Sequence, residues 1–387
     1  MYDGSSYSVI AIVKPSDNGE MKLESFIIPE IDEGISYQNI INMYVKDNKL
    51  TALYTVYGSD NETKTLVICF DITDRSAPVE NWRFYQSGSH LSTRLIDNNL
   101  ILMTNHYVNI YNDKDTVLDN CVPVTGTDYE ACSRIPAENI CIMDNLSSPS
   151  YLVVSNISLG DTFETPATAA VLGGGSNVYC TTEKLYITNG EWDSTFVSYA
   201  EDTAATSGIA VIASSSSKTT VYSFDIKDGN VIYKSKTSVD GTTLNQFSID
   251  EYNGYLRIAT TASDSAGTNN CVYVLSADTL ETVGTLKDIA PGETIQSVRF
   301  TGDRGYVVTF LQTDPLFVID LSDAASPKIL GELKLPGFSS YLHPITDTLL
   351  AGIGVDGTES GTNGHLKVSL FDVSDPANPI EIDNAIF

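Results

Sequence analysis

Residues 315–327 read PLFVIDLSDAASP: a run of strand-favouring apolar residues ends at Asp320, and Pro327 follows seven positions later. The same phrase recurs as LKVSLFDVSDPANP at 366–379 and as TLVICFDITDRSAP at 65–78, so Asp71/Pro78, Asp320/Pro327 and Asp372/Pro379 keep one spacing. An Asp at the end of a strand accepts hydrogen bonds from the backbone of the turn that follows. A Pro opens a strand where its missing N–H has no partner to lose. The motif therefore reads as a turn between two outer antiparallel strands, not as a catalytic carboxylate.

Upstream of each phrase lies a second hairpin. HLSTRLIDNNLILMTN from His90, NQFSIDEYNGYLRIATT from Asn245, QSVRFTGDRGYVVTF from Gln296 and SYLHPITDTLLAGIG from Ser340 are alternating strands broken by Asp, Asn and Gly; segments from Asn39 and Asn177 fit the same template. Such residues accept the positive φ of tight hairpin turns. Two hairpins make four antiparallel strands, and Asp225, Ser276, Asp320 and Asp372 end the third strand of successive units at steps of roughly 44 to 52 residues. That period fits propeller blades, and no segment carries the 3.6-residue apolar period of a helical repeat. The expected fold is all-β: a β-propeller of four-stranded antiparallel blades forming one domain over 1–387. Six complete units and a leading half-unit, SYSVIAIVKPSD with EMKLESFIIP, suggest seven blades, with eight or an incomplete ring as the alternative. Insertions near 109–150 and 190–218 are expected to lengthen the third and fourth blades, the second as a Ser-rich loop.

Fifty acidic against 22 basic side chains give a formal charge of −28, which repels phosphate backbones and anionic lipid and excludes a nucleic-acid partner. No run approaches the ~20 apolar residues of a membrane span, so no membrane insertion of this segment is expected. The six cysteines form no C-x-x-C pair and have no His at zinc-ligand spacing; Cys121 and Cys132, in an irregular stretch, are candidates for a disulfide.

These segments resemble the secreted bacterial β-propeller domain family described as distantly related to WD-40 repeats. The resemblance covers nearly the whole chain and is most specific at 244–261, 290–344 and 366–379. It implies an exported or surface-anchored protein, extracellular or on the bacterial cell surface, and assigns no reaction. Family chains carry further sequence on both sides, so a fragment of a longer exported chain is expected.

Aligning the first strands by their turns puts Tyr44, Arg94, Tyr179, Ser248, Arg299 and His343 in one column. If that column lines a channel, its two Arg with Tyr and His would bind an anionic or sugar ligand by hydrogen bonding and stacking. The alternative makes these residues spacers between blades, paired with carboxylates such as Asp97, Asp250 or Asp303. The Asp-x-x-Asp pairs offer Ca²⁺ only two carboxylates each where six to eight oxygens are wanted, so no cofactor is expected beyond a weak Ca²⁺ possibility. None of the four His sits in a hydrolase or zinc-protease motif, and no catalytic or metal-ligating residue is assigned. The expected function is a non-enzymatic, monomeric scaffold binding a protein or glycan. The rival is a polysaccharide hydrolase or lyase, with acidic residues at a channel mouth beside Trp82 or Trp192.

Overall fold

The run Leu66–Phe70 is apolar without alternation, which suits a strand covered on both faces. In the computed structural model Leu66, Val67, Ile68 and Cys69 are all fully buried. Even and odd positions go opposite ways: Leu66 and Ile68 join one core with Ile10, Ile27 and Tyr54, while Val67 and Cys69 join another with Trp82, Leu100 and Leu102. A strand of this kind belongs to a sheet stacked between two others. The structure describes residues 8–16, 19–30, 32–59, 62–108, 121–143, 149–173, 177–200, 209–227, 230–264, 267–310, 314–358 and 361–387.

Among them are seven antiparallel sheets. The first is the hairpin Ile10–Pro15/Met21–Ile27, the leading half-unit of the sequence reading. The other six each contain four strands hydrogen-bonded in chain order. Their first strands are Ile35–Lys46, Ser89–Ile96, Asn177–Cys180, Ile249–Tyr252, Thr294–Thr301 and Gly337–Pro344. Turns after several first strands use the expected left-handed residues, with φ of 54° at Asp47, 49° at Asp97, 51° at Asn253 and 53° at Gly302. The chain divides into two compact units, Met1–Gly174 with Asp225–Ile232, and Gly175–Phe224 with Tyr233–Phe387. Within each, the cores lie between consecutive sheets.

The recurring Asp does what the sequence suggested. Asp71, Asp320 and Asp372 end the third strands of their sheets. Their Oδ1 atoms accept from the backbone N–H of Thr73, Ser322 and Ser374 at 2.8, 3.0 and 2.9 Å. Three residues on, Asp74, Asp323 and Asp375 repeat the device within the same turn. A bulge in the pairing of third and fourth strands sits just before this Asp in the second, sixth and seventh sheets, and before Ser276 at the same place in the fifth.

The turn also seats on the neighbouring sheet. A Cβ at Gly331, in the sixth sheet's fourth strand, would stand 2.5 Å from the Pro376 carbonyl oxygen of the seventh sheet's turn. One at Gly284 of the fifth sheet would overlap the Ala324 carbonyl of the sixth. In the first unit Ser25 Oγ donates to the Arg75 carbonyl of the second sheet's turn at 2.6 Å. The short apolar-Gly phrases VG and LG at 283–284 and 330–331 are thus the receiving half of the motif.

Three expectations need correction. Part of the 109–150 insertion leaves the third sheet. Val124–Gly126 and Ser133–Arg134 extend the second sheet beyond Val79–Ser87, and Ile140–Ile142 adds in parallel to Ala167–Leu172 of the third. The excursion is held because Tyr129 is buried against Tyr85, with Lys64 over its ring at 3.8 Å and donating to its carbonyl. The Ser-rich second insertion is largely strand: Lys184–Ala200 and Ile209–Lys227 run 17 and 19 residues, with 201–208 outside the described residues. Cys121 and Cys132 are not joined in a disulfide. Cys132 Sγ instead donates to the Asp128 carbonyl, and burial pushes its pKa up to about 11.

Gly331→Ala, which forces a methyl into backbone, is expected to cost about 2 kcal/mol of unfolding free energy by denaturant titration. The side-chain hydrogen bonds from Ser322 and Ser374, then the turn backbone, hold the Asp320 and Asp372 carboxyls below their ordinary value. A carboxyl depressed in the folded state stabilises the fold above the unfolded pKa of ~4, and that stabilisation is lost as pH falls through the folded value. An Asp320→Asn/Asp372→Asn variant should therefore lose less Tm than the native chain between about pH 4 and pH 2.

Candidate functional site

Four residues of the predicted column lie in the second unit. Tyr179, Arg299 and His343 stand on first strands, as expected. Ser248 does not: it closes a 3-10 turn, Gln246–Ser248, just ahead of Ile249–Tyr252, where the Asn245 side chain accepts from the Phe247 N–H at 2.9 Å. Ser248 is fully buried, with no hydrogen-bond partner for its hydroxyl among the described residues, so it presents nothing to solvent.

The turn that buries Ser248 brings Phe247 to Arg299. The guanidinium carbon lies 4.3 Å from the Phe247 ring centroid and 5.5 Å from that of Tyr341. Arg299 Nε donates to the Leu342 carbonyl at 3.0 Å and Nη2 to Tyr341 Oη at 3.3 Å. Tyr341 in turn stacks on His343, with centroids 6.2 Å apart and planes at 25°, and its hydroxyl lies 3.3 Å from His343 Nδ1. Phe247 meets Tyr341 edge-on at 5.6 Å. The turn ahead of the fifth sheet and residues of the sixth and seventh sheets so assemble a half-buried cation packed against two touching rings, with an exposed imidazole beside it. A cation over aromatic faces keeps its charge while its position is fixed, which suits it to anionic or hydroxyl-rich ligands. Phe247 and Tyr341 are absent from the sequence-derived column. Tyr341 was within reach, since it shares a strand face with His343 two positions on; Phe247 owes its place to the turn.

Tyr179 has a different neighbourhood. Its hydroxyl donates to Asp250 Oδ1 at 3.3 Å, and Arg257 Nη2 donates to Asp250 Oδ2. Arg257 is only 3% exposed; its Nη1 donates to the Gly302 carbonyl, and its guanidinium lies near the Tyr252 and Phe300 rings. Tyr186 donates to Glu251 Oε2 at 2.8 Å. Burial above all pushes the Tyr179 phenol up to about 12 and that of Tyr186 higher still, so both stay protonated donors. Tyr179 thus makes the tie between sheets that the spacer reading required, through Asp250.

In the first unit Tyr44 Oη lies 2.6 Å from Thr93 Oγ1, again joining consecutive first strands. Arg94 Nη1 donates to Ser92 Oγ and the Thr93 carbonyl, and His90 Nε2 lies 3.4 Å from Thr93 Oγ1. Burial lowers the pKa of His90. Asp97 meets Lys46 through its backbone carbonyl, not through its carboxylate. Trp82 is buried against Phe163 and donates to the Gly160 carbonyl, whereas Trp192 is exposed. Among the described residues no group of three or more His, Cys, Asp or Glu is arranged to hold a metal ion, and no helix is long and apolar enough to cross a membrane.

A family model described as Beta propeller domain matches residues 2–387. The chain belongs to the β-propeller domain family. It is 50% identical over 165 residues to a Methanocaldococcus jannaschii protein described as "Uncharacterized protein MJ1554", covering 42% of this chain and 24% of that one. An "Uncharacterized protein" of Archaeoglobus fulgidus is 51% identical over 144 residues, covering 37% and 22%. The matched region thus spans about a quarter of the length of these archaeal relatives. Among solved structures, a Kluyveromyces lactis Hsv2p structure matches at 10% identity and TM-score 0.39, covering 89% of this chain and 98% of that one. "KlHsv2 with loop 6CD replaced by a Gly-Ser linker" matches at 10% and 0.44, covering 90% and 99%.

Removing the Asp250 carboxylate leaves a buried guanidinium without its counter-charge. Asp250→Ala is expected to lower unfolding free energy by roughly 3 kcal/mol, measured by denaturant titration.

Proposed function

We propose that this β-propeller is a non-enzymatic scaffold at a prokaryotic cell surface. Its blades number seven, or eight in a longer chain, and it recognises a carboxylate- or hydroxyl-bearing partner, protein or glycan. The observation that carries this reading is the Arg299 guanidinium packed against the edge-on pair Phe247 and Tyr341, with His343 exposed beside it. Unlike Arg257, which is buried and paired with Asp250, Arg299 is half-buried, and aromatic faces with a planar guanidinium are the groups that stack on sugar rings and fork onto carboxylates. The surface location rests on the family resemblance and on an acidic composition that favours solubility; the archaeal relatives make an archaeal surface as natural as a bacterial one. Tyr44 and Tyr179 serve in this reading as ties between sheets, and Arg299 with His343 as the contact surface.

The test is a glycan array together with thermal shift, using the native chain, Arg299→Lys and His343→Ala. Binding of an acidic or neutral oligosaccharide that falls about tenfold in both variants, with Tm unchanged in His343→Ala, is the expected result. Equal binding by all three would overturn the assignment of the surface. Release of reducing ends from a bound polysaccharide would overturn the non-enzymatic reading in favour of a hydrolase.

A further inference from the structure

In the second unit a cavity of about 440 Å³ opens between the fourth and fifth sheets, a volume typical of small-molecule sites. Its floor is Cys271 and Tyr273, exposed by 3% and 6%. The Tyr273 hydroxyl is buried beside the Cys271 thiol and the Asp240 backbone and makes no hydrogen bond of good geometry among the described residues; Asn269 Oδ1 on the wall has no partner among them. Burial, then the adjacent Cys271, pushes the Tyr273 phenol well up, so it remains a neutral donor. A buried donor left without an acceptor costs free energy that a ligand oxygen would recover.

The rim carries one charge of each sign, Asp240 at the end of the fourth sheet's last strand and Lys287 in the fifth sheet's. Among the described residues neither has an ion-pair partner. Burial above all raises the pKa of the Cys271 thiol; Tyr273 and Lys287 lower it, and Asp240 and Asp288 raise it, so both rim charges are felt at the floor. A simple anion would face Asp240 across this opening, and a simple cation would face Lys287. A neutral sugar would leave both charges idle. A molecule carrying a carboxylate and an ammonium satisfies both at once, with a carboxylate oxygen left to accept from Tyr273.

We propose that this cavity binds a small zwitterion of the α-amino-acid class, the carboxylate toward Lys287 and Tyr273 and the ammonium toward Asp240. The site is independent of the Arg299 cluster and stands or falls without it.

Saturation-transfer NMR on the native chain with glycine, alanine, serine and glutamate, and with acetate, methylamine and glucose as controls, tests the proposal. The expected result is binding of amino acids at about tenfold higher affinity than acetate or methylamine. Tyr273→Phe and Lys287→Met, each folded by its melting curve, should weaken that binding by about tenfold while leaving oligosaccharide binding at Arg299 intact. No transfer to any amino acid at about 10 mM, glucose binding as well as the amino acids, or unchanged affinity in Lys287→Met would each overturn it.

Discussion

The arrangement of the sheets depends on a close approach of backbone to backbone, the capped turn of one sheet resting on the bare glycine of the sheet before it. At Gly331 the carbonyls of Pro376 and Ala377 come within the space a methyl group would need, and Gly284 receives Ala324 in the same way. Only a turn of fixed shape can seat so closely. That shape is set by two carboxylates three residues apart, each accepting from the N–H two positions on. Apolar burial between sheets supplies most of the driving force but is tolerant of sliding. The turn-on-glycine contact is directional, and it fixes how the sixth sheet is staggered on the fifth and the seventh on the sixth.

That device accounts for what the sequence made legible. Asp, Asp and Pro at constant spacing are local chemistry, readable because each residue acts within its own turn. The same holds for Asp47, Asp97 and Asn253, whose positive φ closes the first hairpins. Contacts over longer separations were not legible. Val124–Gly126 joins the second sheet because Tyr129 finds a buried place beside Tyr85 and Lys64, 44 and 65 residues away, and no period announces such a docking. Cys121 and Cys132, which form no disulfide, show the limit of proximity in sequence as a guide to pairing.

The site was half legible for the same reason. The column rule rests on strand alternation, so it located Tyr179, Arg299 and His343, which lie on regular strands. It misplaced Ser248, where a 3-10 turn interrupts the period and turns the hydroxyl inward while carrying Phe247 to the Arg299 guanidinium. The six residues consequently divide by chemistry. Tyr44 and Tyr179 spend their hydroxyls on the next sheet, and Ser248 is buried, whereas Arg299 and His343 keep polar surface beside aromatic rings.

The central claim, that the capped turn and the glycine act as one unit, is tested most directly by a double-mutant cycle on Gly331→Ala and Asp375→Ala, with unfolding free energies from denaturant titration. If the turn's shape matters because it seats on Gly331, displacing it with a methyl removes much of what the Asp375 cap contributes. The double variant should then be at least about 1 kcal/mol more stable than the sum of the single changes predicts. Additivity to within about 0.4 kcal/mol would mean that the turn and the glycine contribute independently, and would contradict the account.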